Sequence, residues 1–176
     1  MADGARQLPS GGKYRFHITR LILRPCFFYL YRIIMAEKDI WITIPTTDDD
    51  GHTIIVTANT DVEKFRSKPK YSIRIEITLD YNSGPLGFPD DADAEMLEKV
   101  TDAFHAGLKG QNTAIITGIY TGAGQRNWVF YAFNTRIFNS FLNRALAPLP
   151  LLPLKITAEN DPDWLEYDEM MEAIRM

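Results

Sequence analysis

One cysteine, Cys26, stands in a chain of 176 residues, so no disulfide can close within the chain and no cysteine cluster can hold a metal. The three histidines, His17, His52 and His105, share no metal-ligand spacing, and no HExxH pattern occurs. No serine sits in a Gly-x-Ser-x-Gly elbow. Long apolar runs are missing too. The most apolar stretch, residues 21–34 (LILRPCFFYLYRII), is interrupted by Arg24, Pro25 and Arg32. It is shorter than the roughly 20 residues that a membrane-spanning helix requires. Neither metal nor cofactor is expected from this inventory.

Positive charge is scarce beyond the first segment. Residues 1–34 carry Arg6, Lys13, Arg15, Arg20, Arg24 and Arg32 against Asp3, a balance of +5. The overall charge of −4 therefore leaves −9 on the rest. A body so acidic repels a phosphate backbone, which argues against nucleic acid as the main partner. The composition, 45% hydrophobic and 24% charged, is that of an ordinary folded domain. A chain of this length buries about 70% of its unfolded surface without staples.

Residues 1–34 admit three readings: an extension ahead of the true initiator Met35, a cationic and aromatic segment at a membrane surface, or an extra helix packed on the domain. A signal peptide would need an uninterrupted apolar stretch followed by the small residues of a cleavage site, and MAEKDIW offers neither; it reads instead as a natural start of translation, so the first reading is favoured. Residues 35–176 are expected to form a single α+β domain.

Within that body, residues 40–44 predict a strand ended by Pro45. The turn Asp48-Asp49-Asp50-Gly51 leads into β-branched residues 53–57, completing a hairpin. Residues 64–70 read as a basic connection. Tyr71, Ile73, Ile75, Ile77 and Leu79 alternate with polar residues, a strand with one core face. Asp90, Asp91 and Asp93 open a helix whose apolar stripe is Met96, Leu97, Val100, Phe104 and Leu108. Residues 113–120 and 127–133 predict two strands joined through Thr121-Gly122-Ala123-Gly124-Gln125. Because a strand follows these glycines and no lysine is near, they make a hairpin turn rather than a phosphate loop. Asn134 or Thr135 caps a second helix with Ile137, Phe138, Phe141, Leu142 and Leu146 inward. A strand at residues 154–158 and a helix beginning near Asp161-Pro162 complete the list. The order strand, helix, strand, strand, helix, strand is that of a ferredoxin-like sandwich, here with an extra N-terminal hairpin and a C-terminal helix. Two helices would cover one sheet face and leave the other for the hairpin, a partner or a ligand.

The glycine turn with its aromatic strand, TGAGQRNWVFYAF, and the later Asp161-x-x-Trp164-x-x-Tyr167 together resemble the bacterial family called domain of unknown function 695. Trp41 ahead of an acidic turn fits the same pattern, and the likeness covers residues 39–174. The resemblance implies no reaction. Some members of that family are joined to a domain similar to the regulator of ribonuclease E activity B, which implies a regulatory or binding role by analogy.

No catalytic constellation is expected. The residues singled out for binding a ligand or partner are Arg74, Arg126, Trp128, Tyr131, Trp164 and Tyr167. An arginine beside aromatics can clamp a planar or anionic group by stacking and forked hydrogen bonds. The weightier alternative makes the aromatics core residues, with Arg126 paired to an acid such as Asp161. NWVFYAF does not match the signature of an RNA recognition motif. The expectation is a non-enzymatic cytoplasmic domain acting through a protein partner. The competing expectation is a small-molecule-binding protein or hydrolase using the arginine and aromatic surface.

Overall fold

The computed structural model describes residues 41–175, so the readings of residues 1–34 lie outside the described residues. The described chain is α+β. One six-stranded sheet carries the order β1-β2-β4-β5-β3-β6, and every neighbouring pair is antiparallel. The elements are β1 (Trp41–Thr47), β2 (Thr53–Asn59), α1 (Glu63–Arg66), β3 (Ile73–Asp80), α2 (Asp91–Leu108), β4 (Ala114–Gly122), β5 (Gln125–Ala132), α3 (Thr135–Leu146), β6 (Lys155–Asn160) and α4 (Leu165–Arg175).

Period-two alternation in β3 sends Ile75, Ile77 and Leu79 to one face, where they meet Trp128 and Phe130 of β5. The apolar stripes of α2 and α3 close over that face. Phe104 lies at its centre, edge-on to Trp128 and to Phe130 at 5.5 and 5.3 Å. The two helices approach closely because Gly107 has no Cβ; one added there would lie 2.8 Å from the Phe141 ring. Each helix starts on a side-chain cap: Asp90 accepts from the Asp93 amide, and Asn134 from that of Ile137. The hairpin turn between β4 and β5 is made by Ala123 and Gly124, both at positive φ (49° and 78°).

Three expectations need correcting. First, the strand expected to stop at Pro45 runs on to Thr47. The Asp48 amide bonds the His52 carbonyl, so by alternation Pro45, opposite Ile55, turns its nitrogen away from β2. A proline costs no ladder bond at an edge. Second, the basic connection at residues 64–70 contains the short helix α1. Third, the second sheet face is not left open. The hairpin extends the sheet beyond β4, and α4 with the segment around Val62 and Tyr71 covers that face.

The burial pattern gives a direct comparison. Phe104→Ala should lower unfolding free energy by about 3–5 kcal/mol, the usual cost of emptying a fully buried aromatic site. Leu86→Ala, at a site 71% exposed, should stay within about 0.5 kcal/mol of wild type. Urea denaturation measures both; equal losses would contradict the placement of the core.

Candidate functional site

The segment Asp161-Pro162-Asp163-Trp164 turns the chain from β6 into α4, and the structure explains each end of it. The Asp161 amide bonds the Ser72 carbonyl at 2.7 Å, continuing the β3–β6 ladder by one residue. Its buried carboxylate accepts the Tyr131 hydroxyl at 2.6 Å and the amides of Leu165 and Glu166 at 3.0 and 3.4 Å. One acid thus anchors α4 to β5 and satisfies the first amides of the helix. Burial, and after it the Asp161 carboxylate, pushes the Tyr131 hydroxyl far above its ordinary pKa, so it donates as a neutral phenol.

Trp164 adopts φ +59°, a left-handed backbone that costs a bulky residue about 1–3 kcal/mol. Its ring offsets that cost. It stacks on Tyr131 with centroids 4.1 Å apart and donates Nε1–H to the Tyr71 carbonyl at 2.8 Å. Tyr167 meets it edge-on and donates its hydroxyl to the Asn59 carbonyl at 3.2 Å. Further along α4, Met170 fills space above Gly118, where a Cβ would come within 2.6 Å of its sulfur. Arg66 of α1 grips Asp168 through both terminal nitrogens.

Beside this anchor lies a charged cluster. Arg74 reaches Glu76 of its own strand at 2.8 Å, Glu159 of β6 at 3.2 Å and Glu166 of α4 at 3.0 Å. The Tyr120 hydroxyl donates to the other Glu166 oxygen at 2.8 Å. Burial opposes the Arg74 charge, yet the carboxylates, Glu166 foremost, hold its pKa above the ordinary value. Burial raises Glu76 and Glu166, while Arg74 pulls both back. The Tyr120 hydroxyl is pushed well above its usual range, first by burial and then by Glu166. The cluster ties β3, β6 and α4 together with three carboxylates around one guanidinium.

The six residues singled out from the sequence divide between the two faces. Arg74, Tyr131, Trp164 and Tyr167 come together on the α4 side. Arg126 and Trp128 lie on the α2 side, where Arg126 bonds Thr121 at 2.9 Å and Glu98 at 2.8 Å. Asp161 serves Tyr131 instead of Arg126. Trp128, Tyr131 and Trp164 are wholly buried, and the Trp128 indole donates to Thr101 at 2.9 Å. Sequence reasoning passed over Glu76, Glu166 and Tyr120. Glu76 carried a signal, being two residues from Arg74 on the same strand face. Glu166 carried none, because its partner is 92 residues away.

Two other features lie apart from this cluster. Asp48, Asp50 and His52 bring donor atoms within 4.8 Å of one another at the β1–β2 turn. Both Asp48 oxygens already serve that turn, Oδ1 accepting the Asp50 and His52 amides and Oδ2 meeting His52 Nδ1 at 3.0 Å. Elsewhere, an open apolar groove of about 500 Å³ runs along α3, the proline-rich loop and β6. Its lining includes Leu142, Leu146, Leu151, Leu154 and Ile156, and no titratable side chain contributes to it. Leu151 is fully exposed and Ile156 half exposed. No described helix is long and apolar enough to cross a membrane.

The model of a family of unknown function, DUF695, matches residues 41–171. No curated protein and no solved structure matches the chain.

Two outcomes test the α4 anchor. Asp161→Ala removes the cap and strands the buried Tyr131 hydroxyl, so it should cost about 2–4 kcal/mol in urea unfolding; a loss below about 0.5 kcal/mol would refute the anchoring role. The second concerns pH. Burial raises Glu166 in the fold above its ordinary 4.5, so its favourable contribution is full below that value and is lost as pH rises through the raised one. Wild type should therefore lose urea resistance relative to Glu166→Gln as pH rises from about 4.5 upward. A gap that does not change with pH would remove the burial argument.

Proposed function

The chain belongs to the DUF695 family, and from that premise we propose that residues 41–175 form a non-enzymatic protein-binding domain that regulates a partner in the cytoplasm. Its core is read as ferredoxin-like. Supporting this, β3 and β4 are joined through α2 and separated by β5, while β5 and β6 are joined through α3 and separated by β3. Each is a split β-α-β unit, and the two interlock.

The observation that carries the functional reading is the groove along α3 and β6. A reaction site needs a group that moves a proton, attacks, or holds a charge in the transition state. The groove offers aliphatic side chains, a proline and two asparagines. A solvent-facing apolar surface next to an exposed strand suits the apolar side chains of another protein. The ligand-clamp reading has less in its favour. Arg74 is engaged by three carboxylates of its own chain, Arg126 by Thr121 and Glu98, and the aromatic rings are core.

Leu151→Glu places a charge on the groove rim at a position whose side chain supports nothing in the fold. Affinity capture from nuclease-treated native lysate, wild type against this variant, reads the outcome by quantitative mass spectrometry. The expected result is a protein recovered near equal amounts by wild type and depleted about tenfold by the variant, equivalent to about 1.4 kcal/mol. Identical recoveries from both would sink the groove as the binding surface.

A further inference from the structure

We infer that the occupant of the β6 edge is a second copy of this chain, the two β6 strands pairing antiparallel about a twofold axis at Thr157. The inference rests on the reading of the α3–β6 surface as protein-binding and names what binds there.

The main chain of β6 is presented for such pairing. Among the described residues β6 pairs with β3 alone, which makes it an edge of the sheet. Antiparallel strands direct the amide and carbonyl of alternate residues to opposite sides. The bond from the Asp161 amide to the Ser72 carbonyl sets the phase. Lys155, Thr157 and Glu159 therefore point their main-chain groups at β3, and Ile156, Ala158 and Asn160 point theirs outward. The opposite edge differs. There, Pro45 removes an outward donor from the middle of β1, a common guard against edge pairing. No proline or bulge interrupts β6.

The sequence KITAEN is also complementary to itself in one register. A twofold axis at Thr157 sets Ile156 opposite the second copy's Ala158, and both belong to the outward row, so each such pair exchanges two main-chain hydrogen bonds. The same register sets Lys155 opposite the second copy's Glu159, twice by symmetry. Opposite charges in directly facing positions favour pairing, whereas like charges oppose it. Both side chains are mostly exposed, at 65% and 61%; Lys155 pairs with Asp80 and Glu159 with Arg74 in its own chain, and each exposed head can share that pairing across the axis. A twofold interface must use one patch that fits itself, and this strand does.

Six strand residues alone bury less than the roughly 800 Å² per partner of a stable interface. The groove supplies more. Ile156 of β6 and Leu154 just ahead of that strand line it, so joining the edges brings the two grooves alongside each other across the axis. The exposed Leu151 and half-exposed Ile156 then lose water together. The product is a continuous sheet of twelve strands running through both copies.

Sedimentation of the full chain from about 1 to about 100 µM, the range of ordinary micromolar association, tests this. The expected mass rises from 20.1 kDa to twice that value. Ala158→Pro deletes an outward amide that β3 does not use, so the far-ultraviolet spectrum should persist while the dimer weakens at least about tenfold. Thr157→Cys, with Cys26→Ser to remove the other thiol, should give a disulfide-linked dimer on mild oxidation, because facing residues at the axis have Cβ atoms about 4.5–5.5 Å apart. That cross-link decides the matter if the proline variant does not fold. A monomer at every concentration overturns the inference, whether residues 1–40 or a different protein occupies the edge. A dimer indifferent to Ala158→Pro and lacking the cross-link overturns it as well. A monomeric chain that still captures a Leu151-dependent protein would leave the binding reading standing and remove only the second copy.

Discussion

The Asp161 carboxylate, buried between a tyrosine hydroxyl and the first amides of α4, is the contact on which the closure of the second sheet face depends. A buried acid is costly unless its oxygens are used. Here they receive three donors, and those donors belong to the two elements that must meet. The left-handed Trp164 follows from the same arrangement. The chain has four residues, Asp161 to Trp164, in which to turn from a strand into a helix packed on the sheet, and the stacked indole holds that turn shut. The Arg74 cluster then fixes the first turn of α4 through Glu166.

The two faces of the sheet are held by different physics. On the α2 and α3 side, rings and branched aliphatics interlock around Phe104, and polar contacts are few. On the α4 side, apolar area is still buried, but hydrogen bonds from Tyr120, Tyr131, Trp164 and Tyr167 set where the helix sits. Hydrophobic contact is non-directional, so it tolerates sliding. The phenols and the indole do not, since each has one acceptor at a fixed distance. The arginine and aromatics that look like a ligand clamp in the sequence therefore have a structural use.

Much of the fold is legible from the chain because its signals are local. The alternation from Tyr71 to Leu79, the stripes of α2 and α3, and the Ala123-Gly124 turn each declare themselves within about twenty residues. Other features depend on distant partners. Pro45 ends a strand on propensity, yet among the described residues β1 is an edge, and the Pro45 nitrogen faces away from β2. The amphipathic pattern of α4 announces a buried stripe but not the face that receives it. That choice is made by Asp161, Gly118 and Tyr71 acting together. Within the charged cluster, Arg74 and Glu76 can be joined by spacing alone. Arg74 and Glu166 meet only once β3 and α4 are placed, and the split of Arg126 and Trp128 from the other four follows from strand alternation applied to the full sheet order.

The covering of the second face by α4 also bears on how the chain is made. Ribosomes add roughly 5–20 residues each second, and 43 residues separate Ala132, where β5 ends, from Arg175, where α4 ends. For on the order of 2–9 s, then, a nascent sheet can hold β2, β4 and β5 with Tyr120, Val129 and Tyr131 still facing water. Chaperones recognise surfaces of that kind. Slow translation across residues 133–164 would lengthen the vulnerable interval, and crowding of polysomes would raise its cost.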